Sequence, residues 1–205
     1  MWETITVGKF QQLYDIIQGQ NFDSELDRQV HLLSCLDERP VAYYEAMRVQ
    51  DLLQEVKRTA FLHTGDIPQV EPKRYLRVGG KVFRPVYDFR DLCAGQFIDA
   101  MSIAKTPEEH VLNLNHMLAA ICLPAKRGML GRKTLRYGDV PFDEVAEAML
   151  EANILEAQAI ALFFYRAWTD FLKSMPGYLE RKKVKMTPAE RELWDQLSAY
   201  VGGGS

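Results

Sequence analysis

The sequence predicts an α+β fold dominated by helices, with two helical units joined by a β-hairpin and an amphipathic helix near the C-terminus. Three observations predict it. Apolar residues recur at helical spacing through residues 5–64 and again through residues 91–175. Two β-prone runs, Tyr75-Leu76-Arg77-Val78 and Lys81-Val82-Phe83-Arg84, flank Gly79-Gly80. A pair of glycines supplies the positive φ that a two-residue hairpin turn requires. The expected organisation is a helical unit over 1–64, a connector with the hairpin over 65–90, a second helical unit over 91–175, and a basic linker, amphipathic helix and glycine-rich end over 176–205.

The first helix starts at a Thr6 cap, carries Val7, Phe10, Leu13, Tyr14 and Ile17, and stops at Gly19. A second follows Asp23 or Ser24, with Leu26, Val30 and Leu33 on one face and Leu32 and Leu36 widening it. Pro40 opens a short third helix through Val41, Tyr44 and Met47, since the first turn has no intrahelical N–H bond for proline to break. A fourth is expected from Gln50 to Leu62, ending at Gly65. Gly65, Pro68 and Pro72 make the connector irregular. In the hairpin, alternation puts Tyr75 and Arg77 on one face and Leu76 and Val78 on the other. An isolated hairpin is marginal in water, so it must lie on helices or pair with another chain.

Helix resumes near Ala94, with Phe97, Ile98 and Met101 expected inward. Thr106-Pro107-Glu108-Glu109 is a helix start, and its helix should run through Val111, Leu114, Met117, Leu118 and Ile121 to Pro124. Residues 124–141 read as a basic, glycine-bearing loop. Short helix over Phe142–Leu150 precedes a long one over Ile154–Met175, with Ile160, Ala161, Phe164, Ala167, Trp168, Phe171 and Leu172 on its apolar face. Beyond Pro176-Gly177, Thr187-Pro188-Ala189-Glu190 starts the last helix, with Leu193, Trp194, Leu197 and Tyr200 on one stripe.

Bulk properties narrow the function. The 205 residues are 47% hydrophobic and 26% charged, with a net charge of −3. That balance suits a soluble globule and argues against a protein basic throughout, as nucleic-acid binders are. Three widely spaced cysteines, Cys35, Cys93 and Cys122, point to a reducing compartment. The opening residues lack the basic-then-apolar order of a signal peptide. The most apolar stretch, Ile154–Trp168, is interrupted by Glu156, Gln158 and Arg166, and so reads as a core helix.

Sites of chemistry are weak. Asp27, His31 and Cys35 share a helix at ligand spacing, but a second ligand pair is missing and they face away from the apolar stripe. His110 and His116 flank Asn113 without a nucleophile setting, and Cys122 sits in an apolar run. Gly128-Met129-Leu130-Gly131-Arg132-Lys133-Thr134 is too short between its glycines for a phosphate loop. No catalytic, cofactor or metal residue is assigned. Lys126, Arg127, Arg132, Lys133 and Arg136, with Arg181, Lys182 and Lys183, form candidate basic patches for DNA or an acidic protein surface. Phe97, Leu193, Trp194, Leu197 and Tyr200 are the candidate partner contacts, because aromatic residues anchor interfaces.

Three stretches carry a resemblance. They are Ile5 through Tyr14 with the Glu25-Leu26 helix, the hairpin Tyr75–Phe83 followed by Asp91 through Asp99, and Leu118 through Pro124 with Ala159–Phe164. In this order they resemble tail-assembly-chaperone type proteins from the structural gene blocks of tailed phages, especially phages of Bacteroides and relatives. The resemblance spans residues 5–175 and departs at 126–141, which are longer and more basic, and after 176. It implies a non-enzymatic morphogenesis protein that binds the tape-measure protein or tail subunits and shields apolar helical surface in the host cytoplasm. A permanent virion component (neck, tail or baseplate subunit) is the alternative reading. A nucleic-acid-contacting packaging or regulatory protein is the second. Expected partners are other phage proteins and a second copy of the chain; neither a membrane nor nucleic acid is expected.

Overall fold

The structure, a computed structural model, describes residues 1–64, 67–103, 107–128 and 131–167. It is predominantly helical α+β with one small antiparallel sheet. The predicted C-terminal helix, with Leu193, Trp194, Leu197 and Tyr200, lies outside the described residues, as do Arg181, Lys182 and Lys183. None of the helices in the described residues is long and apolar enough to cross a membrane.

Side-chain caps set the first two helices. Thr6 Oγ1 accepts the Lys9 N–H at 3.2 Å and opens α1 (Val7–Gln18). Ser24 Oγ does the same for Asp27 N–H at 3.1 Å and opens α2 (Glu25–Asp37). Two short helices follow, α3 (Val41–Glu45) behind Pro40 and α4 (Val49–Val56). The expected helix to Leu62 is interrupted. A 3₁₀ turn over Lys57–Thr59 separates α4 from α5 (Ala60–His63). Buried Thr59 explains the change: its hydroxyl lies 2.7 Å from the Val56 carbonyl and 2.5 Å from Gln29 Oε1. Such back-bonding competes with helical pairing. Val30, Leu33, Tyr44 and Leu52 close the core beneath these helices.

A charged knot holds this layer together. Arg58 donates to both Asp37 oxygens at 2.7 and 2.9 Å, and the Tyr44 hydroxyl donates to Asp37 Oδ2 at 2.7 Å. The Arg58 hydrogen bond holds the Asp37 carboxyl below its ordinary 3.8, against the upward pull of partial burial. Burial, then the Asp37 contact, pushes Tyr44 up to about 12. Because the folded Asp37 value is depressed, its stabilisation is complete above the unfolded value and is lost as pH falls through the folded one. Asp37→Asn is therefore expected to lower Tm near neutrality and to flatten its fall below about pH 4. Thermal melts at stepped pH check this.

The second layer is built on α8 (Leu114–Ile121), which packs against α6 (Ala94–Ile103) and α9 (Phe142–Met149). Residues 154–167 are helical, and Ile154 and Ile160 join Met117, Leu118, Ile121 and Met149 as fully buried side chains. The helix expected from Thr106 to Pro124 breaks. Its first part is α7 (Pro107–Leu112), and Asn113 stands between it and α8, its side-chain amide donating to the Glu109 carbonyl at 3.0 Å. Backbone pairing ties the first layer to the second: Val7 N–H to Ala152 O and Gly8 N–H to Leu150 O, both 2.8 Å.

The face of α6 also differs from expectation. Ile98 is 63% exposed and Met101 38%, Phe97 is half-buried, and the inward residues are Gln96 and Ala100 at 1% and 3%. Gln96 is drawn in by its hydrogen bonds. Its side chain accepts the Cys93 N–H and donates to the Ala120 carbonyl, satisfying the end of α8.

The sheet is larger than one hairpin. Strands β1 (Leu76–Val78), β2 (Lys81–Pro85), β3 (Cys122–Gly128) and β4 (Gly131–Thr134) pair antiparallel in that order. Gly79 and Gly80 take φ of +53° and +77°, as the turn requires. The basic segment read as a loop over 124–141 is instead the second hairpin through Thr134. The first hairpin recruits it, with Phe83 opposite Pro124 and Pro85 opposite Cys122. That pairing gives the marginal two-stranded unit a third and fourth strand.

Candidate partner-binding surface

Register sorts the sheet residues into two faces. Leu76, Val78, Phe83, Pro85 and Cys122 are buried on one side. The other side faces solvent and carries Tyr75, Arg77, Val82, Arg84, Leu123, Ala125, Arg127, Arg132 and Thr134. The basic candidates Lys126, Arg127, Arg132 and Lys133 thus belong to two strands, and Arg136 follows the second. Lys126 stands opposite Lys133, and Arg127 opposite Arg132. Like charges placed directly opposite destabilise a ladder, by several tenths of a kcal/mol per pair. Among the described residues no ion pair joins these five cations to a carboxylate.

A groove of about 910 Å³ opens where the buried face runs out beyond the helices. Phe83 and Val145 lie at its base, with half-buried Pro124, Leu135 and Val140 above them. Its charged lining is Lys81, Lys126, Arg127, Arg132, Asp139 and Glu144, and Lys81 pairs with Glu144 at 3.1 Å. Its far wall is the segment 135–141, which is held at several points. Leu135 N–H donates to the Pro124 carbonyl at 2.8 Å, the Arg136 N–H to Asp139 Oδ2 at 2.8 Å, and the Tyr137 hydroxyl to the Asp99 carboxylate of α6. Burial, with Asp99 adding to it, pushes the Tyr137 phenol well above its usual range, so it stays protonated as a donor. The wall is therefore set before anything binds. The groove offers apolar contact under a charged rim, the makeup of a site for a polypeptide segment.

Other sequence candidates do not converge. His31 Nδ1 lies 3.3 Å from Asp27 Oδ1, while the Cys35 thiol donates to Gln12 of α1 at 3.6 Å. Among the described residues no group of three or more His, Cys, Asp or Glu is placed to hold a metal ion. His116 stacks on Phe142 at 6.1 Å, and burial raises the Cys122 thiol far above its usual range. Gly128 and Gly131 pair with each other at the hairpin end, so no helix follows them to receive a phosphate.

Sequence alone assigns no contact role to Phe83, Leu135 or Val140, nor to Arg77 and Arg84, which it places only in the hairpin strands. One signal was available. Lys126-Arg127-Gly128 and Gly131-Arg132-Lys133 mirror each other across two residues, which is the symmetry of a hairpin pairing like with like. Compared with protein-family models, with curated proteins and with solved structures, the chain gives no match.

Proposed function

We propose that this chain is a non-enzymatic morphogenesis protein of a tailed phage, a tail-assembly-chaperone type that holds apolar segments of tape-measure or tail proteins. The observation that carries the reading is the 910 Å³ groove, preformed and apolar-floored, between the sheet and α9. A segment in transit to a tail tube needs contacts that bury its apolar side chains and then release them. An apolar base of Phe83 and Val145 provides the first, and a hydrated charged rim limits the affinity that burial alone would reach. The resemblance over residues 5–175 supplies the phage context.

A permanent neck, tail or baseplate subunit is the second reading, since the same surface would serve a standing interface. Mass spectrometry of purified particles separates the two. A chaperone is expected in infected-cell lysate and absent from particles, whereas a fixed stoichiometry in particles would establish the virion component.

A further inference from the structure

We infer that the solvent-facing side of the sheet is a second docking surface, for an acidic polypeptide segment that carries aliphatic side chains between its carboxylates. Each strand places one arginine there: Arg77 from β1, Arg84 from β2, Arg127 from β3 and Arg132 from β4, of which Arg127 and Arg132 also border the 910 Å³ groove while Arg77 and Arg84 do not. Arg74 and Arg136 flank them, and a cavity of about 740 Å³ on this side is lined by Arg74, Arg84, Leu123 and Arg136. Two carboxylates also line it. Asp88 is held by Arg90 at 2.6 Å, and Asp91 is exposed. Among the described residues the six arginines have no ion-pair partner.

Charge on an edge strand has an ordinary use, which is to block edge-to-edge pairing. That use accounts for Lys133 on β4. It does not account for arginine on the central strands β2 and β3. Nor does it account for the sorting: Lys81, Lys126 and Lys133 lie on the opposite face. Arginine's planar fork suits carboxylate and phosphate alike. The centre of the face decides between them. It is aliphatic, with half-buried Val82, Leu123 and Ala125. The Tyr75 ring is already taken up by two guanidiniums, Arg132 at 5.1 Å and Arg74 at 5.6 Å, so it is poorly placed to stack on a base. Aliphatic spots among forks match a peptide of alternating acidic and apolar residues.

The test is fluorescence anisotropy on the full chain, with a labelled peptide of alternating glutamate and leucine and a labelled oligodeoxythymidine strand. The peptide is expected to bind. Arg77→Gln with Arg84→Gln should weaken it by at least about tenfold, since each lost charge-assisted bond is worth more than a neutral one. Arg48→Gln with Lys57→Gln removes the same charge from exposed positions on the first helical layer and should change binding less than about twofold. Arg77→Lys with Arg84→Lys keeps the charge and the fold and should still bind measurably more weakly, because the fork is gone. Failure of the peptide to bind, equal losses in the arginine and control variants, or tighter binding of the oligonucleotide would overturn the inference.

Discussion

Phe83→Ala should destabilise the protein by about 3–5 kcal/mol, the largest effect expected of any single sheet substitution. Phe83 is 2% exposed and stands on the buried face of β2, opposite Leu76 on one side and Pro124 on the other. Phe83 thus stands between strands of both hairpins at the point where the second joins the first. Truncation would leave a cavity that two strands and a helix cannot fill together, because packed interiors relax only in part. Arg77→Ala, on the solvent face, should change stability by no more than about 0.5 kcal/mol. Urea unfolding of both variants measures the contrast. Equal, small effects would mean that the second hairpin does not depend on the first for its place.

Val140→Glu should abolish partner capture by the groove while the protein remains folded. Val140 is half-buried, and its backbone belongs to the wall fixed by Leu135, Arg136 and Tyr137. A carboxylate there would face an incoming apolar side chain and lose its water when the segment seats. An unpaired charge buried at an interface costs several kcal/mol, enough for a loss of about a hundredfold or more. Circular dichroism checks the fold, and co-purification with phage tail proteins reads the binding. Unchanged recovery would remove the groove from the mechanism and leave the arginine face to be judged by its own titration.

Much of the fold is legible because local chemistry and tertiary packing agree there. Thr6, Ser24 and Pro40 mark helix starts that the structure keeps, and Gly79-Gly80 marks the turn. The misread places are those where a polar side chain hydrogen-bonds to backbone, which apolar spacing does not report. Gln96 goes inward to cap α8, which turns Ile98 out. Asn113 and Thr59 bond to the nearby Glu109 and Val56 carbonyls at the points where two helices that apolar spacing alone makes continuous are split. The second hairpin was hidden by composition, since lysine and arginine carry little strand preference and the pairing energy comes from β2, forty residues earlier in the chain. The groove follows from that pairing, so it could not be read before the strands were joined.

Cross-linking mass spectrometry on complexes captured from infected cells tests the central claim most directly. Lys81 and Lys126 stand on the groove rim, and Lys57 lies on the first helical layer. Links from Lys81 and Lys126 to one phage tail or tape-measure protein, lost in Val140→Glu, are expected. Links that leave from Lys57 and not from the rim lysines, or complexes containing no phage structural protein, would contradict it.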